Sequence, residues 1–396
     1  MNSSEIVNKS STKNLTQEES ATIFQEILSG QVSEIEIENF LLNLSKKGET
    51  SDELTGAVQA MRNSSLKVKV NIRDHLVDCC GTGGLGKSMM NVSTTPGLVA
   101  AAAKVKIAKH GNRTATGKSG SADVLEAANV NLNLNPNQVA RCIEEIGIGF
   151  MFAQNFHPGM KYVMPVRKRI ADKTIFNLLG PLTNPAGAKR QCIGVYDSKW
   201  VLPVAETLKN LGTIKAMVFH SKDGLDEISS VDKTFVAELE NNKIKEYEID
   251  PKDFDIHHED LNDLQIESPS QSLELIKTTL RDEGFKSGED ITSLNSAAVI
   301  YVSDLATSFE KAFETAIDVI KSGSGLDKLE ELATFSNNFN ESAKKGDAVS
   351  HLIIPIDLAK ADTEIRATAT INKESISFLS KAILAIKMPI KIHRIE

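Results

Sequence analysis

The stretch VDCCGTGGLGKSMMNVSTTPGLVAAAAKVKIAKHGNR, residues 77–113, decides the fold of this chain. An apolar run leads into a glycine-rich segment, an apolar helical pattern follows, and a second apolar run ends at KHGNR. A strand, a helix and a strand in this order predict a βαβ unit with parallel strands. Glycine loses much conformational entropy on folding, so its clustering at 81, 83, 84 and 86 needs a reason. The two physical candidates are a tight turn and a close approach of the backbone to a ligand.

The same alternation continues along the chain. IGFMFA, QCIGVY and AMVFHS are typical of buried strands, and helical patterns such as VLPVAETLKNLG separate them. TFVAELENNKIKEYEI predicts a hairpin that turns at Asn241–Asn242, and helical stretches at about 293–321 and 324–334 follow. The prediction is an α/β domain over residues 71–335, with a mostly parallel central sheet.

The two ends of the chain differ from this domain. Residues 1–14, rich in Ser, Asn and Lys, predict a disordered tail. Three helical patterns follow, two of which begin with capping boxes, so residues 15–70 predict a small helical domain, joined by helices from about 157–175. Residues 336–396 read as a linker and a short C-terminal extension of strands and a helix. The fold class is therefore α/β, with a small N-terminal helical domain.

Composition excludes several function classes. The chain has 396 residues, a net charge of −8 and 41% hydrophobic residues, which disfavours a broad surface for nucleic acid or anionic membrane. Its 4 cysteines show no metal-ligand spacing and no disulfide framework, so we expect a cytoplasmic protein. The first 20 residues lack the apolar segment of a signal peptide, and no apolar run is long enough to span a membrane.

The glycine-rich segment itself allows three interpretations. Its backbone N–H groups could cradle phosphate or pyrophosphate oxygens, or it could be a turn without a ligand. GTGGLGKS, residues 81–88, also satisfies the P-loop pattern, which makes a P-loop ATPase an alternative. Two features disfavour the ATPase: Met89 and Met90 lead into a polar cluster, NVSTT, where a P-loop would continue as a helix, and no Walker-B strand is evident.

Two further polar clusters follow predicted strands. Lys109–Arg113 stands at a strand end, where ligand sites in open α/β sheets lie, although a solvated charge run is the alternative. Asp226 and Glu227 follow the AMVFHS strand, and adjacent carboxylates suit a hard cation shared with diphosphate oxygens. Two solvated loop acids are the alternative for that pair. Because other motifs of the chain offer groups that bind phosphate, a metal site is the favoured interpretation.

Six motifs now occur in order: GTGG…NVST, KHGNR, GKSGSAD, HPGM…PVR, NLLGPLTNP and DGLDE. Together they closely resemble the anthranilate phosphoribosyltransferase family, over roughly residues 15–335. The resemblance implies a homodimer whose active site lies at the hinge between the two domains of each protomer. It also implies Mg²⁺, phosphoribosyl pyrophosphate (PRPP) and anthranilate as ligands, and transfer of the 5-phosphoribosyl group to the anthranilate amine.

The resemblance assigns roles to the matching residues. Those expected to contact PRPP are Gly81, Thr82, Gly83, Gly84, Asn91, Ser93, Thr94, Lys109 and Ser121. Those expected to contact anthranilate are Gly81, His110, Asn112, His157, Arg167 and Pro181. Those expected to hold Mg²⁺ are Ser93, Asp226 and Glu227. The expected catalytic residues are Lys109, Asn112 and Arg167.

The chain departs from the family pattern at two places, and two related activities remain as alternatives. Leu85 stands where the family carries Asp, and Lys173 where it often carries Arg. A pyrimidine nucleoside phosphorylase has the same fold, but KHGNR and PVR disfavour it. A non-catalytic relative that binds nucleic acid would carry a basic groove and lose the acidic pair, whereas this chain is acidic and keeps Asp226 and Glu227.

Overall fold

The computed structural model of the chain describes residues 2–72, 75–83, 88–114, 117–170 and 172–344, and two strands at 352–355 and 366–369. These residues belong to two compact units, 1–337 and 338–396. None of the helices in this part of the chain is long and apolar enough to cross a membrane.

Helices and strands alternate through most of the first unit. The α-helices are α1 Ser3–Ser10, α2 Gln17–Leu28, α3 Glu34–Lys47, α4 Ser51–Ser64, α5 Thr94–Ala102, α6 Ser121–Ala127, α7 Pro136–Arg141, α8 Ala153–Phe156, α9 Met164–Arg169, α10 Phe176–Leu182, α11 Val201–Asn210, α12 Pro269–Leu280, α13 Lys286–Val302, α14 Phe309–Lys321 and α15 Ser324–Lys344. The strands are β1 Leu76–Gly81, β2 Lys106–Gly111, β3 Ile148–Phe152, β4 Arg190–Gly194, β5 Lys215–Ser221, β6 Thr234–Glu240, β7 Lys243–Ile249, β8 Leu352–Pro355 and β9 Arg366–Ala369.

The central sheet is mostly parallel, as the alternation of strands and helices predicts. Its strand order is β3-β2-β1-β4-β5-β6-β7, with parallel pairing from β3 to β5 and antiparallel pairing to β6 and β7. The predicted hairpin is confirmed, since Asn241 and Asn242 adopt positive φ angles of 51° and 60° between β6 and β7. In the second unit, β8 and β9 form a separate antiparallel pair.

The N-terminal helices pack around an aromatic core. The predicted capping boxes at Thr16 and Ser33 are confirmed, and Thr50 caps α4 in the same way. Phe24 of α2 packs edge-on against Phe40 of α3, with ring centroids 5.5 Å apart. Phe24 also contacts Phe176 of α10, so this core extends into the segment that leads to β4.

The prediction that residues 1–14 are disordered is wrong, because α1 occupies Ser3–Ser10. Asn2 caps this helix in a capping box with Glu5, and Ile6 and Val7 are buried in the helical core. A helix this short is marginal alone, and packing of its apolar face stabilises it. Composition suggested disorder because the two apolar residues, Ile6 and Val7, are adjacent and stand among Ser, Asn and Lys. They do not form the repeating hydrophobic pattern of an amphipathic helix.

Replacing Ile6 with alanine is expected to lower the free energy of unfolding by about 2–4 kcal/mol, because Ile6 is 1% exposed. Asn8, exposed on the same helix, provides the control, and Asn8→Ala is expected to change stability by less than about 0.5 kcal/mol. Urea unfolding of the three proteins measures the difference. Equal stability of Ile6→Ala and the parent would mean that α1 is not docked in solution.

Two other boundaries differ from the sequence prediction. The stretch at about 293–321 is two helices, α13 and α14, because Asp304 takes a positive φ of 64° and Ser308 starts a new helix as its N-cap. Helix α15 continues to Lys344, through residues predicted to be linker. Its polar residues are used in docking, since Ser336 accepts from the Asn131 N–H at 3.0 Å. The predicted helix ISFLSKAILAI, near residues 376–386, lies outside the described residues.

Candidate active site

The order of the strands reverses between β1 and β4. From β1 the chain builds β2 and β3 on one side, and β4 then pairs with the other side of β1 and continues to β5. Ligands of open α/β sheets bind at such a switch point, beyond the carboxyl ends of the strands. Gly81 and Gly194 end these two strands side by side, in register.

Asp226 fills the space that these glycines leave. A Cβ at Gly81 would lie 2.5 Å from Asp226 Oδ2, and one at Gly194 would lie 1.6 Å from the Asp226 carbonyl oxygen. The Gly83 N–H donates to Asp226 Oδ2 at 2.7 Å. The structure thus uses this N–H for Asp226, although the resemblance assigned it to pyrophosphate. Burial raises the pKa of Asp226, and the hydrogen bond from Gly83 opposes that rise.

Glu227 is the second carboxylate at this edge. Burial raises its pKa well above the usual value, the charge of Asp226 adds to that rise, and Lys109 opposes it. Two carboxylates that resist ionising side by side are stabilised by a cation. In the described part of the chain, no group of three or more His, Cys, Asp or Glu could hold a metal ion. A cation here would therefore need hydroxyl oxygens or ligand oxygens to complete its shell.

Lys109 of β2 is buried near the carboxyl ends of the strands, with 1% of its surface exposed. Its Nζ donates to the Cys79 carbonyl oxygen at 2.6 Å and to the Ser93 carbonyl oxygen at 3.1 Å. The ammonium thus joins the end of β1 to the start of α5. The hydroxyls that follow β1 and begin α5, Thr82 Oγ1 and Thr94 Oγ1, are buried and have no hydrogen-bond partner among the described residues. Such groups are rare in folded proteins, which marks both hydroxyls as candidates for binding a ligand.

Asn91 and Ser121 lie on the segments that flank Lys109 along the chain. Asn91 holds the turn at Ser119, because its Nδ2 donates to the Ser119 carbonyl oxygen and its Oδ1 accepts from Ser119 Oγ, both at 3.1 Å. Its Oδ1 also accepts from Ser272 Oγ at 3.2 Å, so the amide is already engaged within the protein. Ser121 opens α6 beside the end of β2, where a Cβ on Gly111 would lie 3.0 Å from its own Cβ.

His110 and His157 form a buried pair. His110 Nδ1 lies 3.2 Å from the Gly180 carbonyl oxygen, which can only accept, so Nδ1 carries the proton. His110 Nε2 then accepts from His157 Nε2 at 3.1 Å. Burial lowers the pKa of His110 to about 3 and that of His157 to about 4. At neutral pH both rings are therefore uncharged.

The neutral histidine pair predicts a pH dependence of stability. In the folded protein the pKa of His110 is about 3, below the ordinary value of 6.5. Between these two pH values the unfolded chain binds a proton at this histidine that the folded protein does not bind, so the free energy of unfolding falls as the pH falls. Acidification from pH 7 to pH 5 should therefore cost the parent about 2 kcal/mol through His110, a loss that His110→Gln avoids. Urea unfolding at both pH values checks this. His257→Gln, at an exposed histidine, should follow the parent; a constant difference between parent and His110→Gln would contradict the argument.

Arg167 of α9 is a half-buried guanidinium. It stacks over the Phe176 ring, with Cζ 5.7 Å from the ring centroid, and burial lowers its pKa. No carboxylate among the described residues pairs with it. Arg169, on the same helix, instead binds both Glu34 and Glu38, at 2.6 and 3.1 Å. Arg167 is thus the arginine of this helix that is open to an anionic ligand.

The remaining predicted residues have more peripheral places. Asn112 is exposed at the end of β2, where its Oδ1 accepts from Gln154 Nε2 at 3.4 Å. Pro181 is buried in α10, and its carbonyl oxygen accepts from Gln191 Nε2 at 3.1 Å. Gly84, expected to contact PRPP, and Leu85, which stands where the family carries Asp, lie outside the described residues.

The described residues that follow the glycine segment, 88–93, do not have the architecture of a P-loop. After the glycine segment, Met89 forms an isolated antiparallel bridge with Gln265. The next helix, α5, begins only at Thr94. In a P-loop the helix starts at the Gly-Lys-Ser sequence itself, so this segment has a different architecture.

Sequence reasoning missed two buried charged residues around the site. Asp78 lies in β1, fully buried, and its Oδ1 accepts from the His110 N–H at 3.0 Å. Arg62 of α4 donates through Nε to the Leu182 carbonyl oxygen at 2.9 Å, while its Nη2 is buried and has no hydrogen-bond partner in the described part of the chain. A lone aspartate inside the apolar run HLVDCC was the available signal for Asp78. Arg62 occupies an ordinary polar position in its helical pattern and gives no such signal.

Two family models match this chain. The helical bundle domain of a glycosyl transferase family matches residues 5–65, and the a/b domain of that family matches residues 73–326. The anthranilate phosphoribosyltransferase of Marinomonas sp. (strain MWYL1) is 49% identical over 322 residues, 81% of this chain and 93% of that protein.

Solved structures share the fold. The crystal structure of anthranilate phosphoribosyltransferase from Thermus thermophilus is 36% identical, with a TM-score of 0.80, and the match covers 84% of this chain and 99% of that one. The Saccharomyces cerevisiae enzyme in complex with PRPP and Mg is 23% identical, with a TM-score of 0.76 over 85% of this chain and 98% of that one. The matches extend over both domains, and the chain belongs to the anthranilate phosphoribosyltransferase family.

Proposed function

We propose that the chain transfers the 5-phosphoribosyl group of PRPP to the amine of anthranilate, giving N-(5-phosphoribosyl)anthranilate and pyrophosphate in tryptophan biosynthesis. The observation that carries this proposal is the 49% identity to an anthranilate phosphoribosyltransferase across 81% of the chain. The site supports it, because oxygen donors and a buried ammonium lie at the switch point of the sheet. A neutral histidine pair and a guanidinium without a carboxylate partner in the described structure offer surroundings for an aromatic acid.

PRPP is proposed to bind at the carboxyl ends of β1 and β2. The hydroxyls of Thr82 and Thr94, which lack hydrogen-bond partners within the described structure, would bind its phosphate oxygens. The Lys109 ammonium is held rigidly by two carbonyl oxygens, so its charge is fixed beside the site. Groups oriented in advance toward developing negative charge are usually the largest contribution to catalysis.

Mg²⁺ is proposed to bind Asp226 and Glu227, with Ser93 as a third oxygen donor. The residues fit this ion, because carboxylate and hydroxyl oxygens are hard ligands and burial raises the pKa of both acids. When bound, Mg²⁺ would neutralise charge on the departing pyrophosphate. The Saccharomyces cerevisiae relative was solved with PRPP and Mg, although its likeness to this chain is one of fold.

The residues of the chain position the second substrate. Arg167 can bind the anthranilate carboxylate, since a guanidinium matches it in bidentate geometry. His110 and His157 would border the ring, with Asn112 at the rim. The anthranilate amine then attacks C1 of the ribose as the bond from C1 to the pyrophosphate oxygen breaks, and the proton that the amine loses passes to the released pyrophosphate or to water. Holding a weakly nucleophilic amine in line with C1 accounts for much of the remaining acceleration.

A homodimer is also proposed. Helices α3 and α9 lie side by side through the ion pairs of Arg169, and Ile35 is 74% exposed on α3. Large exposed apolar side chains often mark contact surfaces. Ile35→Glu is expected to shift the mass measured by light scattering toward the monomer, while Leu305→Glu, at a residue 57% exposed, should leave it unchanged. A monomeric parent would overturn the proposal.

Cytoplasmic localisation is proposed from the cysteines. Cys79 and Cys192 lie opposite each other on neighbouring strands, and both are free thiols. A reducing compartment keeps such thiols unpaired.

The test of the activity is the loss of anthranilate fluorescence when purified protein is mixed with PRPP and Mg²⁺. We expect the signal to fall only when both are present, and the product to appear at the mass of N-(5-phosphoribosyl)anthranilate. Phosphorolysis of thymidine and uridine is measured in parallel to test the nucleoside phosphorylase alternative. Nucleoside cleavage without anthranilate consumption would reject the proposed function.

A further inference from the structure

The backbone pairing between β1 and β2 stops before the candidate active site. Among the described residues of these strands, the register covers two residues of each and ends where Val77 lies opposite Ile107. Both strands remain paired with their other neighbours to their last residues, β1 with β4 and β2 with β3. We call the unpaired stretch, residues 78–81 of β1 and 108–111 of β2, the seam.

Side chains bind the backbone groups that face the seam. If the parallel ladder continued in the same register, Cys79 would bond Ala108 and His110. The Ala108 carbonyl oxygen accepts from Asn184 Nδ2 at 2.8 Å. The His110 N–H donates to Asp78 Oδ1 at 3.0 Å. Buried backbone groups need hydrogen-bond partners, so these two side chains allow the ladder to stop here without that cost.

The Cys79 carbonyl oxygen, on the other side of the seam, is a partner of Lys109. It accepts from Lys109 Nζ at 2.6 Å, and this ammonium is the one expected to stand beside PRPP. Continuing the ladder would direct the same carbonyl oxygen to the His110 N–H. The position of the Lys109 charge therefore depends on the seam remaining unpaired.

Asp78 is suited to this place by its two acceptor oxygens and by the charges around it. Burial raises its pKa, while hydrogen bonds with Asn184 and His110 and the charge of Lys109 oppose that rise. Burial lowers the pKa of Arg62 to about 10, and the charge of Asp78 opposes that change. An ionised carboxylate only accepts, so it can serve donors from both sides of the seam at once.

His110 is held at two points. Asp78 fixes its backbone N–H, and the Gly180 carbonyl oxygen lies 3.2 Å from its ring Nδ1. Gly180 belongs to α10, and Asn184 follows that helix. The segment that orients the ring of His110 thus also carries the amide that binds β2.

We propose that Asp78 and Asn184 are positioning residues of the active site. They replace the ladder bonds that β1 and β2 lack, and they fix the end of β2 that carries Lys109 and His110. This inference rests on the proposed function, in which His110 borders anthranilate and Lys109 lies beside PRPP. Asp78 and Asn184 themselves are assigned no contact with a substrate.

Asp78→Ala is expected to raise the KM for anthranilate about 10- to 100-fold, because the backbone that carries the His110 ring loses its anchor. The KM for PRPP should stay within about threefold of the parent value, since Lys109 keeps both of its carbonyl partners. Asp78→Asn retains an oxygen that can accept from the His110 N–H, so it should recover most of the loss. Steady-state kinetics with each substrate varied in turn measure these effects.

Glu53→Ala is the matched control, because Glu53 is also a fully buried carboxylate that accepts from a backbone N–H, that of Leu15. It lies in α4 of the helical domain. Its removal should reduce stability and leave both KM values at the parent level. Loss of stability alone therefore does not reproduce the result expected for Asp78→Ala.

Hydrogen exchange provides a measurement that a merely structural role would not move. In Asp78→Ala the His110 amide is expected to exchange at least about tenfold faster, because it loses its acceptor. The Ile107 amide, which donates to the Gly147 carbonyl oxygen, should keep the parent rate. Asp78→Asn should return the His110 amide toward the parent rate. Mass spectrometry of overlapping peptides separates the two amides.

An unchanged anthranilate KM in folded Asp78→Ala, an equal rise of both KM values, or equal acceleration of the His110 and Ile107 amides would each overturn the proposal. If circular dichroism shows that Asp78→Ala does not fold, Asn184→Ala decides by the same kinetics, because it removes the donor to Ala108. Exchange needs no turnover. A parent without transferase activity would therefore reject the proposed function, whereas unchanged His110 exchange in Asp78→Ala would reject the positioning role.

Discussion

The double variant Asp226→Ala/Glu227→Ala is expected to lose Mg²⁺-dependent transferase activity, with kcat/KM lower on the order of 10³-fold. Both carboxylates lie at the carboxyl edge of the sheet, and their raised pKa values show the cost of keeping two negative charges there without a cation. Removing them eliminates the adjacent acid pair that the site offers to a hard cation. Initial rates measured against Mg²⁺ concentration test this result.

The matched control removes an acidic pair elsewhere. Glu259 and Asp260 are adjacent and exposed, so Glu259→Ala/Asp260→Ala should keep the parent rates and the parent Mg²⁺ dependence. Because Asp226 also accepts from Gly83, the conservative variant Asp226→Asn/Glu227→Gln separates charge from packing. A variant that folds, lacks both charges and still responds to Mg²⁺ like the parent would reject this metal site.

Arg167→Ala is expected to raise the KM for anthranilate by about 30- to 300-fold and to leave the KM for PRPP within about twofold. The guanidinium is half-buried over Phe176 and lacks a carboxylate in the described structure, so the substrate carboxylate would be its principal ionic partner. Removing the guanidinium leaves the substrate carboxylate in a partly buried position without a bidentate donor. Steady-state kinetics with each substrate varied in turn provide the measurement.

Arg169→Ala is the control for Arg167, since both arginines lie on α9 and Arg169 is already paired with Glu34 and Glu38. This change is expected to reduce stability by no more than about 1 kcal/mol and to leave both KM values unchanged. Arg167→Lys should restore only part of the affinity, because an ammonium cannot reproduce bidentate binding. Equal increases in both KM values in Arg167→Ala would contradict the proposed role.

Much of the architecture is readable from local patterns, and the exceptions share a cause. Thr16, Ser33 and the Asn241–Asn242 turn are local signals, and all three act in the structure as predicted. Helix α1 and the last turns of α15 were missed because their stability comes from distant partners. Ile6 packs into the helical core, and Ser336 binds Asn131, across 205 residues of sequence.

The sequence motifs nominate residues for the site, whereas the contacts among those residues are visible only in the structure. The motifs identify Lys109, His110 and Asp226, but spacing does not show that Lys109 binds two carbonyl oxygens or that His110 pairs with His157. Such contacts depend on which strands are neighbours, a property of the assembled sheet. The contact of the buried Asp78 is unpredictable from sequence for the same reason, since its partner is the backbone of the neighbouring strand β2.

The close packing of Asp226 against Gly81 and Gly194 also constrains how this sequence can diverge. A methyl group at position 194 would occupy the place of the Asp226 carbonyl, and one at position 81 would meet its carboxylate. Substitutions at these three positions are therefore not independent: a mutation at one is tolerated only with a rearrangement of the others. We expect these three positions to change together among relatives.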